Sequence, residues 1–337
     1  MRITLKLSSL FVLLGLLFAC SFSERMESER MEWVHHSEWS AQTQFVEWPE
    51  VAHRGLGVGF VRPENRDIHP YQRPANDEFH IQVGEPFTTL LLFSTGDDEL
   101  YPVLISVFLD YEQVRFTMDG RQGVLHYLEI VPDVDMEIPL EVPIETSGWH
   151  DLFVIAFREP NSHPTDPQER LPPALAGGGC RTVICAGDCA APIQTLPAAF
   201  VGRAADVQRT NVNAYPLLPD DGRSPKRRLL LSATVEPGNV FNLELWARNP
   251  SDQPRDYVVL SLLDFRQISF AGSTVLHLRM PPGGELFIPD QIRLPKEEGV
   301  HELQFVTIFD AYQVLDEVRD PFVNSVLRSA LVVTDGR

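Results

Sequence analysis

The chain carries the same pattern twice. Leu109-Asp110-Tyr111-Glu112-Gln113-Val114-Arg115-Phe116 recurs as Leu263-Asp264-Phe265-Arg266-Gln267-Ile268-Ser269-Phe270. Val124-Leu125-His126 recurs as Val275-Leu276-His277, and Ile138-Pro139 as Ile288-Pro289. Gly148-Trp149-His150-Asp151-Leu152 recurs as Gly299-Val300-His301-Glu302-Leu303. The offset stays between 150 and 154 residues, and the four blocks keep their order. Self-similarity of this kind means one fold built twice.

Within each copy the local texture is that of strands. Apolar and polar residues alternate, β-branched and aromatic types are common, and Gly, Asp or Pro break the runs. Leu90–Phe93, Val103–Leu109, Gly123–Val131 and Leu152–Phe157 are expected strands of copy one. Phe241–Ala247, Tyr257–Leu263, Thr274–Met280, Leu303–Phe309 and Ala330–Val333 are those of copy two. No strand–helix alternation calls for a parallel sheet with crossovers. Two facing antiparallel sheets, each burying one side, account for the alternation.

This texture resembles the immunoglobulin-like β-sandwich seen repeatedly in bacterial surface proteins. In that family a Gly-x-His/Tyr-x-Leu-like turn often leads into the penultimate strand, the place Gly148–Leu152 and Gly299–Leu303 would take. The hallmark cysteines of antibody domains are absent, so the resemblance rests on texture. The expected fold class is all-β: two duplicated antiparallel immunoglobulin-like β-sandwiches after a lipidated N-terminal tether.

The tether follows from the first twenty residues. Arg2 and Lys6 precede an apolar stretch from Leu7 to Phe18, too short to span a bilayer and ordered like a secretory signal. Leu17-Phe18-Ala19-Cys20 closes it and resembles the lipobox of bacterial lipoprotein signal peptides. That resemblance implies cleavage before Cys20 and acylation of its thiol, with the lipid attachment at Cys20 carrying two or three chains. One chain alone holds a protein only marginally; two or three give stable attachment. The implied location is a bacterial cell membrane or outer membrane, lipid-anchored and extracytoplasmic. Ser23-Glu24-Arg25-Met26-Glu27 repeats at once as Ser28-Glu29-Arg30-Met31-Glu32, a charged stretch read as a solvated tether. Trp33, Trp39 and Trp48 follow in an irregular segment rich in Pro and Gly. They either form a stacking patch for a sugar or partner, or pack back on the neighbouring domain.

These readings divide the chain into a signal peptide (1–19), a tether and irregular segment (20–75), copy one (79–207), a linker (208–228) and copy two (229–335). Copy one is expected to end in a strand near Ala198–Ala204. An enlarged Pro- and Gly-rich loop would precede that strand and hold Cys180, Cys185 and Cys189. Their C-x4-C-x3-C spacing is wrong for the paired ligands of a zinc site, so no metal is expected. An exported protein can oxidise its thiols, so one disulfide within the trio is expected, involving Cys180. The loop would carry the partner specificity of copy one.

Charge narrows the partners. The formal net charge is -19, and loss of Arg2 and Lys6 with the signal takes it to about -21. That balance disfavours nucleic acid, whose binding rests on neutralising phosphates. It also disfavours direct docking on anionic lipid, which an acyl anchor makes unnecessary. Neither a G-x-S-x-G elbow nor a phosphate-binding G-x-x-x-x-G-K-[ST] loop occurs. His126 with His277, His150 with His301, and Asp110 with Asp264 recur between copies, which argues for roles in the fold, chiefly in turns. No cofactor and no catalytic residue are assigned. The functional reading is a membrane-anchored binding or scaffolding module without catalysis, with an envelope protein or glycan as partner. The alternative is an envelope polymer- or glycan-acting enzyme, or its accessory module, since two acids brought together by a fold suffice for glycoside cleavage.

Overall fold

A computed structural model describes residues 33–47, 56–69, 72–73, 78–96, 99–170, 177–189, 200–204, 214–218, 228–249, 251–309, 323–324 and 327–335. Cys20, Trp48, Asp97, Asp98, the charged repeat and most of the expected linker lie outside them. Val34–Arg337 form one compact unit, distinct from Met1–Trp33. The fold is all-β, and strands formed at each of the nine expected places.

Copy one contributes β1 (Val34–His35), β2 (Gln44–Val46), β3 (Leu56–Val61), β4 (Glu78–Ile81), β5 (Phe87–Thr95), β6 (Tyr101–Leu109), β7 (Glu112–Gln113), β8 (Phe116–Met118), β9 (Arg121–Gly123), β10 (Leu125–Ile130), β11 (Asp135–Val142), β12 (Gly148–Arg158) and β13 (Gly178–Ala186). Copy two contributes β14 (Phe200–Val201), β15 (Arg203–Ala204), β16 (Ala214–Leu217), β17 (Ser232–Val235), β18 (Val240–Arg248), β19 (Arg255–Leu263), β20 (Arg266–Ile268), β21 (Val275–Met280), β22 (Gly284–Arg293), β23 (Gly299–Phe309), β24 (Val323–Asn324) and β25 (Arg328–Val333).

The larger sheets repeat strand for strand along their main path; the facing sheets repeat only in part, since β8 and β9 have no counterpart strand among the described residues of copy two. One sheet of copy one runs β1-β10-β6-β12-β13-β4, and its counterpart runs β14-β21-β19-β23-β25-β17. The facing sheet of copy one is β3-β5-β11-β8-β9, with β2 on β11; its counterpart is β15-β22-β18-β16. Most pairings are antiparallel. The edge strands β1, β4, β14 and β17 instead pair in parallel with their neighbours. Covering an edge in this way removes unpaired backbone groups that would otherwise template association.

These pairings move the expected boundaries. The strand near Ala198–Ala204 does not close copy one. Phe200 pairs with Leu278 and Arg203 with Glu285, both in copy two. Copy one closes with β13, which holds Cys180 and Cys185 and pairs with β12 along its length. The supposed insertion therefore disappears: residues 159–177 link β12 to β13, and 310–327 link β23 to β25. The repeat also reaches further back than its quoted blocks. β1 to β3 lie in the segment read as irregular, and β14 to β16 fall in or beside the expected linker. Short strands broken by Pro and Gly carry too little periodicity to be seen from sequence.

Each copy has its own core. Phe87, Leu91, Val103, Ile105, Val107, Leu140, Leu152 and Val154 lie in the first; Leu245, Tyr257, Val259, Ile288, Leu303 and Phe305 lie in the second. β6, β12, β19 and β23 are buried on their other faces as well. Leu104, Phe108, Phe153, Val258, Leu260, Leu262, Val306 and Ile308 are fully buried yet belong to neither core. Rings meet across the copies: Phe157 packs against Phe265 at 5.0 Å, and Tyr111 meets His277 edge-on at 6.3 Å.

Candidate functional site: paired turns and buried charges between the copies

The repeated Leu-Asp-Tyr/Phe block forms a two-residue hairpin turn in each copy. Both central residues take positive φ: Asp110 at 51° and Tyr111 at 72°, Asp264 at 50° and Phe265 at 65°. Such a turn matches the twist of the flanking strands, and Asp tolerates the left-handed region better than most residues. A tyrosine or phenylalanine there is strained, so the surroundings must hold it.

Two sets of bonds do so. The Asp110 carboxylate accepts the backbone N–H of Asp151 at 3.0 Å and meets His150 Nδ1 at 2.6 Å. Asp264 accepts the N–H of Glu302 at 2.9 Å and meets His301 Nδ1 at 2.7 Å. The second ring nitrogen of His150 faces the Thr146 carbonyl at 3.0 Å, and that of His301 faces the Glu297 carbonyl at 3.1 Å. The hydrogen bond to Asp110 raises the affinity of His150 for its proton against the effect of burial. For His301 burial pulls downward, but Asp264 and the Glu297 carbonyl outweigh it and leave the imidazole raised. A histidine–aspartate pair could in principle act as a general base. Here both nitrogens of each ring are engaged, and the arrangement clamps the turn to the start of the penultimate strand.

The turns bring the copies together through two glutamines. Gln113 Oε1 accepts the backbone N–H of Gln267 at 3.0 Å, and Gln267 Oε1 accepts that of Gln113 at 2.7 Å. Gln113 Nε2 donates to the Phe265 carbonyl at 2.9 Å, and Gln267 Nε2 to the Tyr111 carbonyl at 2.8 Å. The interface is self-complementary, as in a two-fold dimer, but lies within one chain.

Buried charges extend it. Asp151 and Arg181 form a two-point ion pair at 2.7 and 2.6 Å, and Tyr111 donates its hydroxyl to the same carboxylate at 2.7 Å. Arg181 also donates to the Phe309 carbonyl of copy two at 3.1 Å. Their counterparts are Glu302 and Arg328. Arg328 reaches back to the Arg158 and Glu159 carbonyls of copy one at 2.8 and 3.2 Å. Glu302 takes a two-point bond from Arg170 of copy one at 2.6 and 2.9 Å, and His163 Nδ1 lies 3.0 Å from it. Burial alone would raise the Glu302 carboxyl; the bonds from His163 and Arg170, with the Arg328 charge, hold it below the usual range. Sequence reading missed Arg170, Arg181 and Arg328 and gave Glu302 no role.

Two expectations need correction. His126 and His277 are not equivalent. In the ladders Ile105 faces His126, whereas Val259, four places before Leu263 as Ile105 is before Leu109, faces Leu276. A one-residue slip turns a side chain to the other face. His126 therefore lies fully buried on the core side, while His277 faces Tyr111. The cysteines are the second case. Cys185 and Cys189 form the disulfide, with Cα atoms 5.9 Å apart, and Cys180 is the free cysteine among the described residues. The strand sets this: Cys180 and Cys185 sit five residues apart on extended β13, too far to meet, whereas the chain turns after Ala186 and brings Cys189 back. Burial pushes the Cys180 thiol well above its ordinary range.

Among the N-terminal aromatics, Trp39 packs against the first core and stacks on His36. Glu137, buried on β11, is bonded by Arg66 at 2.8 Å and Arg73 at 2.7 Å, so this segment is strapped to copy one. Among the described residues no group of three or more His, Cys, Asp or Glu is placed to hold a metal ion. None of the described helices is long and apolar enough to cross a membrane.

No protein-family profile and no curated sequence matches the chain. Among solved structures, a red sea bream transglutaminase aligns at 9% identity and a TM-score of 0.22, over 85% of this chain and 32% of that one. A Salmonella alpha-2-macroglobulin mutant aligns at 12% and 0.25, over 84% and 16%. The calcium-binding domain CBD12 of CALX1.1 aligns at 13% and 0.20, over 72% and 80%. The chain thus spans about a third or less of the first two proteins it is similar to.

Proposed function

We propose that this chain is an extracytoplasmic bacterial lipoprotein, held by acyl chains on Cys20, whose two joined sandwiches act as a binding or scaffolding module without catalysis. One observation carries the non-catalytic reading. The paired groups with catalytic potential, His150–Asp110 and His301–Asp264, recur in both copies and have both ring nitrogens engaged. The anchor rests on Leu17-Phe18-Ala19-Cys20. A partner in the envelope, protein or glycan, follows from the location and from the acidic charge.

The test pairs anchoring with capture. Metabolic labelling with an alkyne fatty acid should mark the wild type and leave Cys20→Ala unmarked and released from membranes. A Cys20→Ala protein that stays in the detergent phase would overturn the anchor. Crosslinking in intact envelopes, followed by mass spectrometry, should give one recurring partner. Turnover of an envelope glycan by purified protein would overturn the non-catalytic reading.

A further inference from the structure

The segment that enters copy one is attached as a strap. β1 pairs with β10 and β2 with β11, so residues 34–46 lie across both sheets of the first sandwich. Between these strands Asp119, at the β8–β9 turn, accepts the Ser40 backbone N–H at 2.8 Å and the Thr43 hydroxyl at 2.7 Å, and also bonds the Ser40 hydroxyl. Arg121 donates to the His35 carbonyl at 2.6 Å. At the centre, His36 Nε2 meets His126 Nδ1 at 2.9 Å, both rings buried. Trp39 stacks on His36 at 5.2 Å, and Phe116 lies 4.4 Å from the His126 ring.

We propose that this strap is acid-labile: residues 34–46 dock on the first sandwich at neutral pH and let go in acid, through the buried His36–His126 pair. The contact tolerates at most one charged ring, and burial disfavours even that one. One imidazolium could still donate to a neutral partner, but two would turn N–H groups and like charges on each other. Neither charge would have water to receive it. The charged and titratable groups facing the pair are few. Arg121 and His35 oppose a proton on His36, and Asp119 favours one. His36 in turn opposes a proton on His126, while the Phe116 and Gly123 carbonyls favour one. Asp119 is itself held below the usual carboxylate range by Ser40 and Thr43, despite burial, so it keeps its charge throughout mildly acid conditions.

The direction follows from linkage. Burial pushes His36 down to about 4 and His126 down to about 3. On release His36 returns toward about 6.5, and His126, which stays on β10, loses the cover of His36 and rises toward the same value. The released form then takes up protons that the docked form refuses. Docking is at full strength above about pH 6.5 and weakens below it, by about tenfold per pH unit for each histidine exposed. Release would free thirteen residues immediately after the tether (34–46), up to about 45 Å of extended chain. On an anchored protein that would extend the reach of the sandwiches; the release itself does not depend on the anchor.

Hydrogen exchange by mass spectrometry on the full chain tests this between pH 7.5 and 5, with rates divided by their intrinsic values. Peptides covering 34–46 should open at least tenfold more at pH 5 than at 6.5, while those covering 148–158 stay protected. His36→Gln keeps an amide against His126 without titrating, and should lower the slope by about one proton. His126→Leu installs the residue that copy two carries at the matching place, Leu276, and should do the same. Strap opening independent of pH in the wild type would overturn the proposal, as would an undiminished slope in the double variant. If the His36→Gln strap is already open at pH 7.5, His126→Leu decides alone: a reduced slope supports the proposal and an unchanged one overturns it.

Discussion

Gln113 and Gln267, 154 residues apart, each accept the other's backbone N–H through the side-chain amide oxygen, at 3.0 and 2.7 Å. Each also donates its amide N–H to the backbone of the other turn. One duplicated position thus binds itself across the interface. The four bonds replace those that short edge strands would otherwise make with water, and they fix the register of the two turns.

Because both sets of bonds hold the same two turns together, the two glutamines should be coupled through that contact. Gln113→Ala and Gln267→Ala should each cost about 1–3 kcal/mol, since each leaves part-buried backbone groups unpaired. The double variant should cost less than the sum, by about 0.5–3 kcal/mol. Urea unfolding of the four proteins of this cycle measures it. Additive losses would mean that the glutamines act independently.

Glu302 is the acid on which the interface charges converge. Arg170 bonds it at two points and the Arg328 Nε lies 3.5 Å away, all of them buried. Replacement by Ala would leave two guanidinium groups buried without their acid. A loss of about 3–5 kcal/mol is expected, the range for breaking a buried pair from one side. Glu302→Gln keeps hydrogen-bond acceptance and should lose less. Thermal unfolding ranks the two, and equal losses would show that charge is not what Glu302 supplies.

Much of this interface left a trace in the sequence. The alternation seen over each copy as a whole does not extend to Tyr101–Leu109, Leu152–Phe157 and Tyr257–Leu263, which are nearly continuous apolar runs. Continuous runs mark strands buried on both sides. Gln113 and Gln267 also stand inside the repeated block. The buried arginines could not be read so: Arg170, Arg181 and Arg328 come from segments whose partners are set by tertiary contact. The His126–His277 equation failed because the sequence match at that block is one residue out of step with the ladder, and the strand period of two turns that step into opposite faces. The cysteine trio was legible as a source of one bridge; its pairing depended on recognising β13.

The disulfide gives a separate test. Cys185 and Cys189 close a loop of a few residues, so the bridge should contribute about 2 kcal/mol at most by chain entropy. Peptide mapping of unreduced protein should find Cys185 joined to Cys189. Cys180, partly buried against the first core with its thiol held protonated, should react with a thiol reagent much more slowly in the native protein than after unfolding. Equal labelling rates for Cys180 in native and unfolded protein would show that its packing against the core does not protect it.

Stability should be greatest near neutrality, because two sets of histidines pull in opposite directions. His150 and His301 are raised by Asp110 and Asp264, so their contribution is full below about pH 6.5 and is lost as pH rises through their folded values. His36 and His126 are lowered by burial, so theirs is full above about pH 6.5 and is lost toward acid. Asp110→Asn separates the first set. Asparagine tolerates the positive φ of this turn and can still accept the Asp151 N–H, but it carries no charge to hold a protonated His150. It should cost about 1 kcal/mol at pH 6, since Asp110 is partly exposed. The cost should shrink as pH rises toward 9 and His150 gives up its proton. Unfolding curves at the two pH values read the difference directly. A cost that stayed constant or grew with pH would show that Asp110 acts on the turn alone and that its pairing with His150 adds no stability.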